Sequence, residues 1–281
     1  MIDLHTHTTA SDGTDSPFAL VNKALSAGIT VLGLTDHDTT SGWAEAVSAA
    51  RKPISLALGA EISTLTEDGI SVHMLGLLFD GENSEIQAML SDARDTRIPR
   101  MKKMVELLRN DGLAITMEDV IAATPEGATL GRPHLADALV KNGVVKSRDE
   151  AFAELLTNDS KYYVTHAAPT PEDAIKLIKV AGGVAVIAHP LASLRGRTIS
   201  IESFGSMVQA GLDGIEVSHR DQSAEESELL RGIVAEYGII ATGSSDYHGT
   251  GKLNSLAENH TSREEWLKLE AQADARRVVN A

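Results

Sequence analysis

Short apolar segments alternate with amphipathic stretches along most of the chain, and this alternation constrains the fold more than any other feature. The apolar segments are rich in Val, Ile and Leu and lie at 31–35, 54–60, 72–79, 183–188, 214–218 and 238–243. Segments of this length and composition are typical of buried strands, and helices between them are typical of parallel crossovers. The sequence therefore predicts a parallel α/β sheet or barrel.

Helix boundary signals support this interpretation. Ser16 and Thr170 are each followed by Pro and then by an amphipathic stretch. A Ser or Thr followed by Pro is typical of the first turn of a helix. The same stretches end at Gly28 and at Gly182-Gly183, and glycine is typical of helix C-termini. These signals predict a helix immediately before two of the predicted strands.

The region from 84 to 165 interrupts the alternation, since it holds successive helical stretches and no convincing strand. A chain of 281 residues fits one large domain, or one domain that carries a smaller insert. We therefore expect a discontinuous barrel formed by residues 1–83 and 166–281. Residues 84–165 are expected to form a helical insertion that covers the active site.

Composition excludes several kinds of site. The chain has 40 acidic and 25 basic residues, and its formal net charge of -15 opposes sequence-independent binding to duplex nucleic acid or to an anionic membrane. Cysteine is absent, so disulfides and thiolate zinc sites are excluded, and any metal must use His, Asp or Glu. Because no leader-like segment or membrane-length apolar run is visible, we expect a cytoplasmic protein.

Residues of the types that bind metal ions lie in or directly after the predicted strands. His5 and His7 are two apart, so on a strand they face the same side. Such a pair alone is weak evidence, and His73 alone would be taken for a core histidine. Across five predicted strands, however, similar residues fall at or after the carboxyl ends: Asp12, Asp36, His37, Asp38, Glu61, His189, Asp246 and His248. In an α/β barrel these ends form the active-site face, so the pattern predicts a multi-metal site on one rim.

Taken in order, these motifs resemble those of the PHP (polymerase and histidinol phosphatase) family. The family pattern is HxH, a D-H pair, Glu, His, a later H-P and a final D-x-H. The corresponding segments here are HTH at 5–7, DH at 36–37, AE at 60–61, His73, AHP at 188–190 and DYH at 246–248. Order and approximate spacing match over nearly the whole chain, and no member of the pattern is missing.

The resemblance implies a distorted (β/α)7 barrel that binds two to three divalent transition-metal ions and hydrolyses phosphate esters. One ion would take His5, His7, Glu61 and Asp246. A second would share Glu61 and add His73 and His189, and a third would take Asp12, His37 and His248. Mixed imidazole and carboxylate ligands independently suit Mn2+, Fe2+ or Zn2+ rather than Ca2+. We expect metal-assisted attack of water on phosphorus, with Glu61, Asp246 and His248 acting at the catalytic centre.

A narrower resemblance is carried by GRPHLA at 131–136, the helical insertion and an Arg-containing stretch after the H-P motif. It is similar to a subgroup that dephosphorylates nucleoside 3',5'-bisphosphates, some members of which trim short RNA from the 5' end. The implied partner is a small phosphorylated nucleotide or a short RNA. Forked Arg side chains and helix starts can hold phosphate. The candidate substrate contacts are Arg132, His134, Lys161, Arg195, Arg197 and His219.

Several roles and functions stay open at this point. Asp36 or Asp38 would orient a ligand histidine, and His248 or His219 would protonate the leaving oxygen. The alternative functions are another phosphomonoesterase, such as a histidinol-phosphate phosphatase, an amidohydrolase, and a non-catalytic metal-stabilised module. An amidohydrolase usually needs a carboxylated bridging lysine, whereas Glu61 takes the bridging position here by resemblance. The complete ligand set disfavours the non-catalytic module.

Overall fold

A nearly closed barrel forms the centre of the computed structural model, which describes residues 1–165, 167–275 and 278–280. Within this described part, seven strands form the wall in chain order: β1 (Ile2–Asp3), β2 (Val31–Leu34), β3 (Ser55–Leu65), β4 (Ser71–Leu77), β5 (Val184–Ala188), β6 (Gly214–Ser218) and β7 (Ile240–Gly243). A short strand near the C-terminus, β8 (Val279–Asn280), pairs with β3. A bridge between Thr6 and Tyr247 links the segments that follow β1 and β7, and it brings the two ends of the wall together.

Two pairings in the wall are antiparallel, whereas the sequence predicted a parallel sheet. β4 runs antiparallel to both β3 and β5, and the other pairings along the wall are parallel. The turn at 66–70 joins β3 to β4 and is too short for a parallel crossover. The reversal puts the amino end of β4, with His73, at the rim where the parallel strands have their carboxyl ends. This antiparallel strand is the distortion of the barrel.

Each apolar segment identified in the sequence contains a strand, so those predictions are confirmed. One boundary differs: β3 continues past Glu61 to Leu65, because its ladder with β4 extends to the pair Leu65 and Ser71. Glu61 therefore lies inside a strand, opposite Leu75, and not at a strand end. Its backbone is held on both sides, which fixes the direction of its side chain.

Ten α-helices of the described chain surround or extend the barrel: α1 (Pro17–Ser26), α2 (Trp43–Ala49), α3 (Ser84–Asn110), α4 (Met117–Ala123), α5 (Arg132–Lys141), α6 (Arg148–Glu154), α7 (Pro171–Val180), α8 (Ser203–Ala210), α9 (Ala224–Tyr237) and α10 (Arg263–Glu270). The Ser16 and Thr170 hydroxyls cap α1 and α7 by accepting hydrogen bonds from the backbone N–H groups of Ala19 and Asp173, as the sequence predicted. No described helix combines the length and the apolar character that crossing a membrane requires.

Buried aliphatic side chains pack against both faces of the wall. Along β5, Val184, Val186 and Ala188 belong to one apolar cluster, and the intervening Ala185 and Ile187 belong to the other. Successive side chains of a strand point to opposite faces, so a strand buried on both faces is apolar throughout. This double burial explains the continuous apolar segments of the sequence.

The helical region between β4 and β5, which the sequence predicts to be an insertion, has its own hydrophobic cluster, to which α3, α5 and the segments near them contribute. Met104 and Leu108, in the second half of α3, pack into this cluster. Ile86 and Leu90, in the first half of the same helix, pack into the barrel core. Pro99 lies between the two halves. One continuous helix therefore connects the barrel core to the core of the insertion.

A buried ion pair also fixes α3 to the barrel. The Arg97 guanidinium lies 2.5 Å from Asp38 Oδ2 and 2.8 Å from Ser63 Oγ. Arg94, one turn earlier, donates to the backbone carbonyl of Asp38. Asp38 has a φ of 51°, in the left-handed region that non-glycine residues rarely adopt. These contacts hold an uncommon backbone conformation immediately after His37.

Substituting Arg97 by Ala should lower the free energy of unfolding by about 3–5 kcal/mol, because Asp38 would be left as an unpaired buried charge. Lys103→Ala is the matched control, since Lys103 lies on the same helix in an exposed ion pair with Glu106. Its loss should be below about 1 kcal/mol. Urea unfolding of the metal-free variants, followed by circular dichroism, measures both. Equal losses would show that the buried pair does not hold the insertion to the barrel.

Candidate metal centre

The predicted metal ligands converge at one rim of the barrel. Atoms of the ligand type from four overlapping sets of side chains lie within 4.8 Å of one another. The sets are His7, Asp12, His37 and His248; His5, His7 and Glu61; His37, Glu61 and His73; and His5, His189 and Glu216. Asp246 lies beside the second of these sets, 3.5 Å from His5 and 3.4 Å from His7. All nine ligand candidates from the sequence are therefore brought together, with Glu216 as an addition.

Glu61 lies at the centre of this group, and its two carboxylate oxygens face different histidines. Oε1 is 2.7 Å from His73 Nδ1 and 3.3 Å from His189 Nε2. Oε2 is 3.0 Å from His37 Nδ1 and 3.2 Å from His7 Nε2. A carboxylate with one oxygen towards each of two histidine groups has the geometry that bridging two cations requires.

Asp12 anchors the other end of the centre. Its Oδ1 lies 3.2 Å from His248 Nε2 and 3.6 Å from His7 Nδ1, and its Oδ2 lies 3.6 Å from His37 Nε2. His7 and His37 thus present one ring nitrogen to Asp12 and the other to Glu61. These shared imidazoles connect the two ends into one continuous centre.

The carboxylate of Asp246 has two distinct sides. Its Oδ1 faces His5, His7 and His248, within 3.4–3.5 Å of a nitrogen of each ring. Its Oδ2 pairs with Arg195 Nη2 at 2.6 Å and with Lys252 Nζ at 2.8 Å. One oxygen is therefore directed to the histidine centre, and the other is fixed by cations from outside it.

Glu216, in the middle of β6, is a functional candidate that the sequence reasoning missed. It is fully buried, its Oε1 lies 3.1 Å from His5 Nδ1, and its Oε2 accepts a hydrogen bond from the His189 backbone N–H. A carboxylate on Nδ1 directs the other ring nitrogen, Nε2, towards the centre. The available signal was a lone glutamate inside the otherwise apolar segment GIEVS.

Asp36 and Asp38 contact other groups than the ligand rings they were expected to orient. Asp36 accepts hydrogen bonds from Thr8 and Ser11, and it reaches His7 only through the Ser11 hydroxyl. Asp38 binds Arg97, as described above. Each carboxylate accepts one backbone N–H group close to the ligand candidates, Asp36 from Thr8 in the loop after β1 and Asp38 from Ser63 in β3.

Electrostatic coupling within the centre opposes the effect of burial. Burial raises the pKa of Glu61, but the surrounding histidines, His37 first among them, outweigh it and hold that pKa well below its usual value. Burial lowers the pKa of His5, but Glu61, Glu216 and Asp246 outweigh it and raise that pKa well above 6.5. The carboxylates are therefore ionised and draw positive charge to the rim. Divalent cations that bind here would displace the proton on His5.

The hydrogen bonding of two buried imidazole nitrogens indicates whether the centre fits metal ions. Within the described residues, His37 Nδ1 and His248 Nε2 have no hydrogen-bond partner. Each lies near a carboxylate oxygen, of Glu61 and Asp12 respectively, but not in hydrogen-bond geometry. Buried polar atoms without a partner are rare and call for an explanation such as an ion. Cations between these nitrogens and carboxylates would satisfy both, so the donor set fits divalent metals.

A basic cavity of about 130 Å³ adjoins the centre on the side of His73 and His189. Arg195 and Arg197, from the loop after β5, line it on the barrel side. Arg132 and Asn158 line it from the insertion, and Asn158 joins the two sides. Its Oδ1 accepts a hydrogen bond from Arg132 Nη1 at 2.7 Å, and its Nδ2 donates to the Arg195 carbonyl at 3.3 Å. The cavity thus gathers three of the predicted substrate contacts.

The other three predicted contacts occupy different surroundings. His219 is buried, and its Nε2 lies 3.4 Å from Asp246 Oδ2. His134 caps α5, since its Nδ1 accepts a hydrogen bond from the Gly131 backbone N–H, and it is buried away from the cavity lining. Lys161 is exposed, pairs with Asp111 and does not line the cavity. The substrate roles of all three stay predictions.

Comparison with known proteins identifies the family. The family model of the PHP domain matches residues 3–163. The chain is 33% identical over 277 residues to the 3',5'-nucleoside bisphosphate phosphatase of Chromobacterium violaceum, and the match covers 96% of each chain. The chain belongs to the PHP family. This PHP protein is also 34% identical over 250 residues to the 5'-3' exoribonuclease of Haemophilus influenzae, with 88% of this chain and 89% of the relative covered.

A solved structure supports the same conclusion. The PHP protein superposes with a TM-score of 0.92 on a Bifidobacterium adolescentis protein assigned as a metal-dependent phosphoesterase, with 42% identity, 97% of this chain and 96% of that chain covered. The predicted PHP barrel and the enzyme class are confirmed: the protein is a metal-dependent phosphoesterase. A non-catalytic metal-stabilised module is thereby set aside.

Replacing Glu61 by Gln should remove at least one metal ion per chain, because the amide lacks the charge needed between two cations. Glu67→Gln, at an exposed position in the turn after β3, is the matched control and should keep full metal content. Elemental analysis after reconstitution with Mn2+ or Zn2+ and dialysis measures the stoichiometry. Wild-type metal content in Glu61→Gln would contradict the bridging position.

Glu216→Gln should weaken metal binding by about 10–100-fold, because it removes the charge that orients the His5 ring. Titration with Zn2+ against a chromophoric chelator gives the affinity for each site. The fold is checked by thermal unfolding of the metal-free protein. An unchanged affinity would mean that Glu216 only supports the backbone of His189.

Proposed function

We propose that the protein removes the 3'-phosphate from nucleoside 3',5'-bisphosphates, using Mn2+, Fe2+ or Zn2+ ions. The observation that carries this proposal is the basic cavity beside His73 and His189, which offers cationic side chains next to the metal centre. A substrate with two phosphates can set one on the metals and the other in this cavity. Two anchors orient the scissile bond better than one. The name of the Chromobacterium violaceum relative agrees with this substrate class.

Arg132 is the strongest candidate for the second anchor. Among the described residues it has no carboxylate partner: its Nη1 donates to the Leu156 carbonyl and to Asn158, and its guanidinium lies over the rings of Phe152 and Tyr163. Burial is the main influence that lowers the pKa of this guanidinium. A desolvated, unpaired guanidinium has a strong preference for an anion, and its fork matches the oxygens of phosphate.

Arg195 differs from Arg132, because carboxylates already hold it. It pairs with Asp221 and Asp246, each at 2.6 Å. Its charge therefore partly neutralises Asp246, and it fixes the direction of a metal ligand. We assign Arg195 to the side of the reacting phosphate and Arg132 to the distant one. Arg197 is more exposed and contacts Asp68, so its contribution is the weaker of the three.

The chain's own groups also favour one donor for the leaving oxygen. Bound divalent ions would supply an activated water and neutralise charge on the phosphoryl oxygens. Burial, with Lys252 and His7, lowers the pKa of His248 to about 3, so its ring is neutral near pH 7, and the proton that it keeps on Nδ1 is donated to the Asp246 backbone carbonyl. His219 Nδ1 accepts a hydrogen bond from the Asp221 backbone N–H, which leaves the proton on Nε2. His219 Nε2 therefore directs a donor towards the centre.

A nucleoside 3',5'-bisphosphate should be hydrolysed with a higher kcat/KM than the matching 3'-monophosphate, which has the same scissile bond and no second phosphate. Arg132→Ala should lower this preference by about 1.5–3 kcal/mol, the value of a hydrogen bond to a charged group. Arg132→Lys should restore only part of it, because an ammonium lacks the planar fork. Phosphate release measured with both substrates gives the preference.

Lys141→Ala is the control, since Lys141 is an exposed cation at the other end of the same helix. Metal content is measured in every variant to separate substrate binding from metal loss. If wild-type protein hydrolyses both substrates equally, the bisphosphate proposal is wrong. A broader phosphomonoesterase, such as one acting on histidinol phosphate, would then be the better description, and that substrate is included in the assay.

A further inference from the structure

The loop that carries Asp12 is held differently from the other carboxylates of the metal centre. Glu61 lies inside a strand with paired neighbours, and Asp246 has cations on its outer oxygen. Asp12 lies outside the strands, in a turn that follows β1. Its carboxylate faces the ligand histidines and, at 3.4 Å, Ser11 Oγ. The direction of this carboxylate therefore depends on the course of its loop.

The barrel holds this loop at both ends. The Thr8 and Ser11 hydroxyls donate to the Asp36 carboxylate at 2.7 and 2.6 Å. The Thr14 backbone N–H donates to the His248 carbonyl at 3.1 Å, which connects the loop to the segment after β7. These contacts set the loop against the rim.

The helical region between β4 and β5 contacts the same loop. The Thr129 backbone N–H, shortly before α5, donates to the Ala10 carbonyl at 2.9 Å. His134, in the first turn of α5, is only 2% exposed and forms a hydrogen bond with the Ser11 backbone. Both contacts fall within two residues of Asp12. The loop is therefore attached to the barrel and to the helical region at once.

The hydrogen bonds of His134 show which ring nitrogen carries its proton. Nδ1 accepts a hydrogen bond from the Gly131 backbone N–H at 3.0 Å. Burial lowers the pKa of His134 and outweighs the nearby carboxylates, Asp12 first among them, so the ring is neutral near pH 7. A neutral imidazole that accepts through Nδ1 donates through Nε2. His134 thus caps α5 with one nitrogen and donates to the Ser11 carbonyl with the other.

The first turn of α5 faces two different parts of the site. Arg132 lines the basic cavity, whereas His134, two residues later, does not. Both ring nitrogens of His134 are used within the protein, so the ring has no free donor for a phosphate. Its contact to the Ser11 carbonyl instead directs it to the loop of Asp12.

We propose that His134 is a positioning residue for the metal ligand Asp12, acting through the Ser11 carbonyl. The metal ion expected at Asp12, His37 and His248 then depends on the helical region as well as on the barrel. Groups that orient a metal ligand change metal affinity by about 10–100-fold when they are removed. Barrel contacts hold Glu61, so the ions on its side do not depend on His134.

Two substitutions separate the roles of the two ring nitrogens. The Asn amide ends at the level of Nδ1, so His134→Asn keeps the cap of α5 and removes the donor to Ser11. The longer Gln reaches the level of Nε2, so His134→Gln keeps the donor and removes the cap. We expect His134→Asn to weaken one Mn2+ site by about 10–100-fold. His134→Gln should bind Mn2+ like the wild type, and the electron paramagnetic resonance signal of free Mn2+ gives the binding isotherms.

Asp12→Asn identifies the affected site, because it changes the ligand itself. The double variant Asp12→Asn/His134→Asn should bind Mn2+ no more weakly than Asp12→Asn, since both changes act on the same ion. His260→Asn, at an exposed histidine outside the ligand set, is the matched control and should bind like the wild type. Thermal unfolding of the metal-free proteins checks that every variant is folded.

Unchanged Mn2+ binding by His134→Asn, or a weakened site in His134→Gln instead, would show that the ring only caps α5, and the proposal would be wrong. Additive losses in the double variant would also overturn it, because His134 would then act on another ion. Wild-type Mn2+ binding by Asp12→Asn would remove the ion that His134 is proposed to serve. If His134→Asn does not fold, His134→Gln decides, since the loss of a site in that variant contradicts the proposal and full binding supports it.

Discussion

Glu61 lies beneath five histidine rings, and the rest of the rim is arranged around its two oxygens. His73 and His189 lie on one side of the carboxylate, and His5, His7 and His37 lie on the other. A buried carboxylate is costly unless cations compensate it, and the histidines around Glu61 supply this compensation. The antiparallel turn between β3 and β4 serves this requirement, because it directs both Glu61 and His73 to the rim.

The helices between β4 and β5, which the sequence predicts to be an insertion, contribute to the site together with the barrel. α3 shares its apolar residues between two cores, and its Arg97 fixes the backbone that follows His37. The basic cavity beside the centre lies along the boundary between these helices and the barrel, and Arg132 lines it from the helical side. In the proposed function, the boundary decides which groups would surround a phosphate, and the barrel rim decides where the metals would be held.

Contacts outside the ligand set determine how the ligands point. Glu216 fixes His5 through Nδ1, and Arg195 and Lys252 hold one oxygen of Asp246 so that the other faces the histidines. Ligands oriented in advance lose less conformational entropy when a metal binds. This explains why charged residues are buried around a centre that already contains three ligand carboxylates.

The sequence by itself predicted six of the wall strands, the starts of α1 and α7 and nine metal-ligand candidates, because hydrophobic periodicity, helix-capping residues and residue type are local properties of the chain. His5, Asp12 and Asp246 could be selected from their positions beside apolar segments. Only the tertiary structure decided which atoms face each other: the antiparallel β4, the role of Glu216 and the pairing of Arg195 with Asp246 depend on residues distant in the chain. Arg132 and Arg195 are far apart in the sequence. No local sequence feature indicates that Asn158 forms hydrogen bonds with both of them across one cavity.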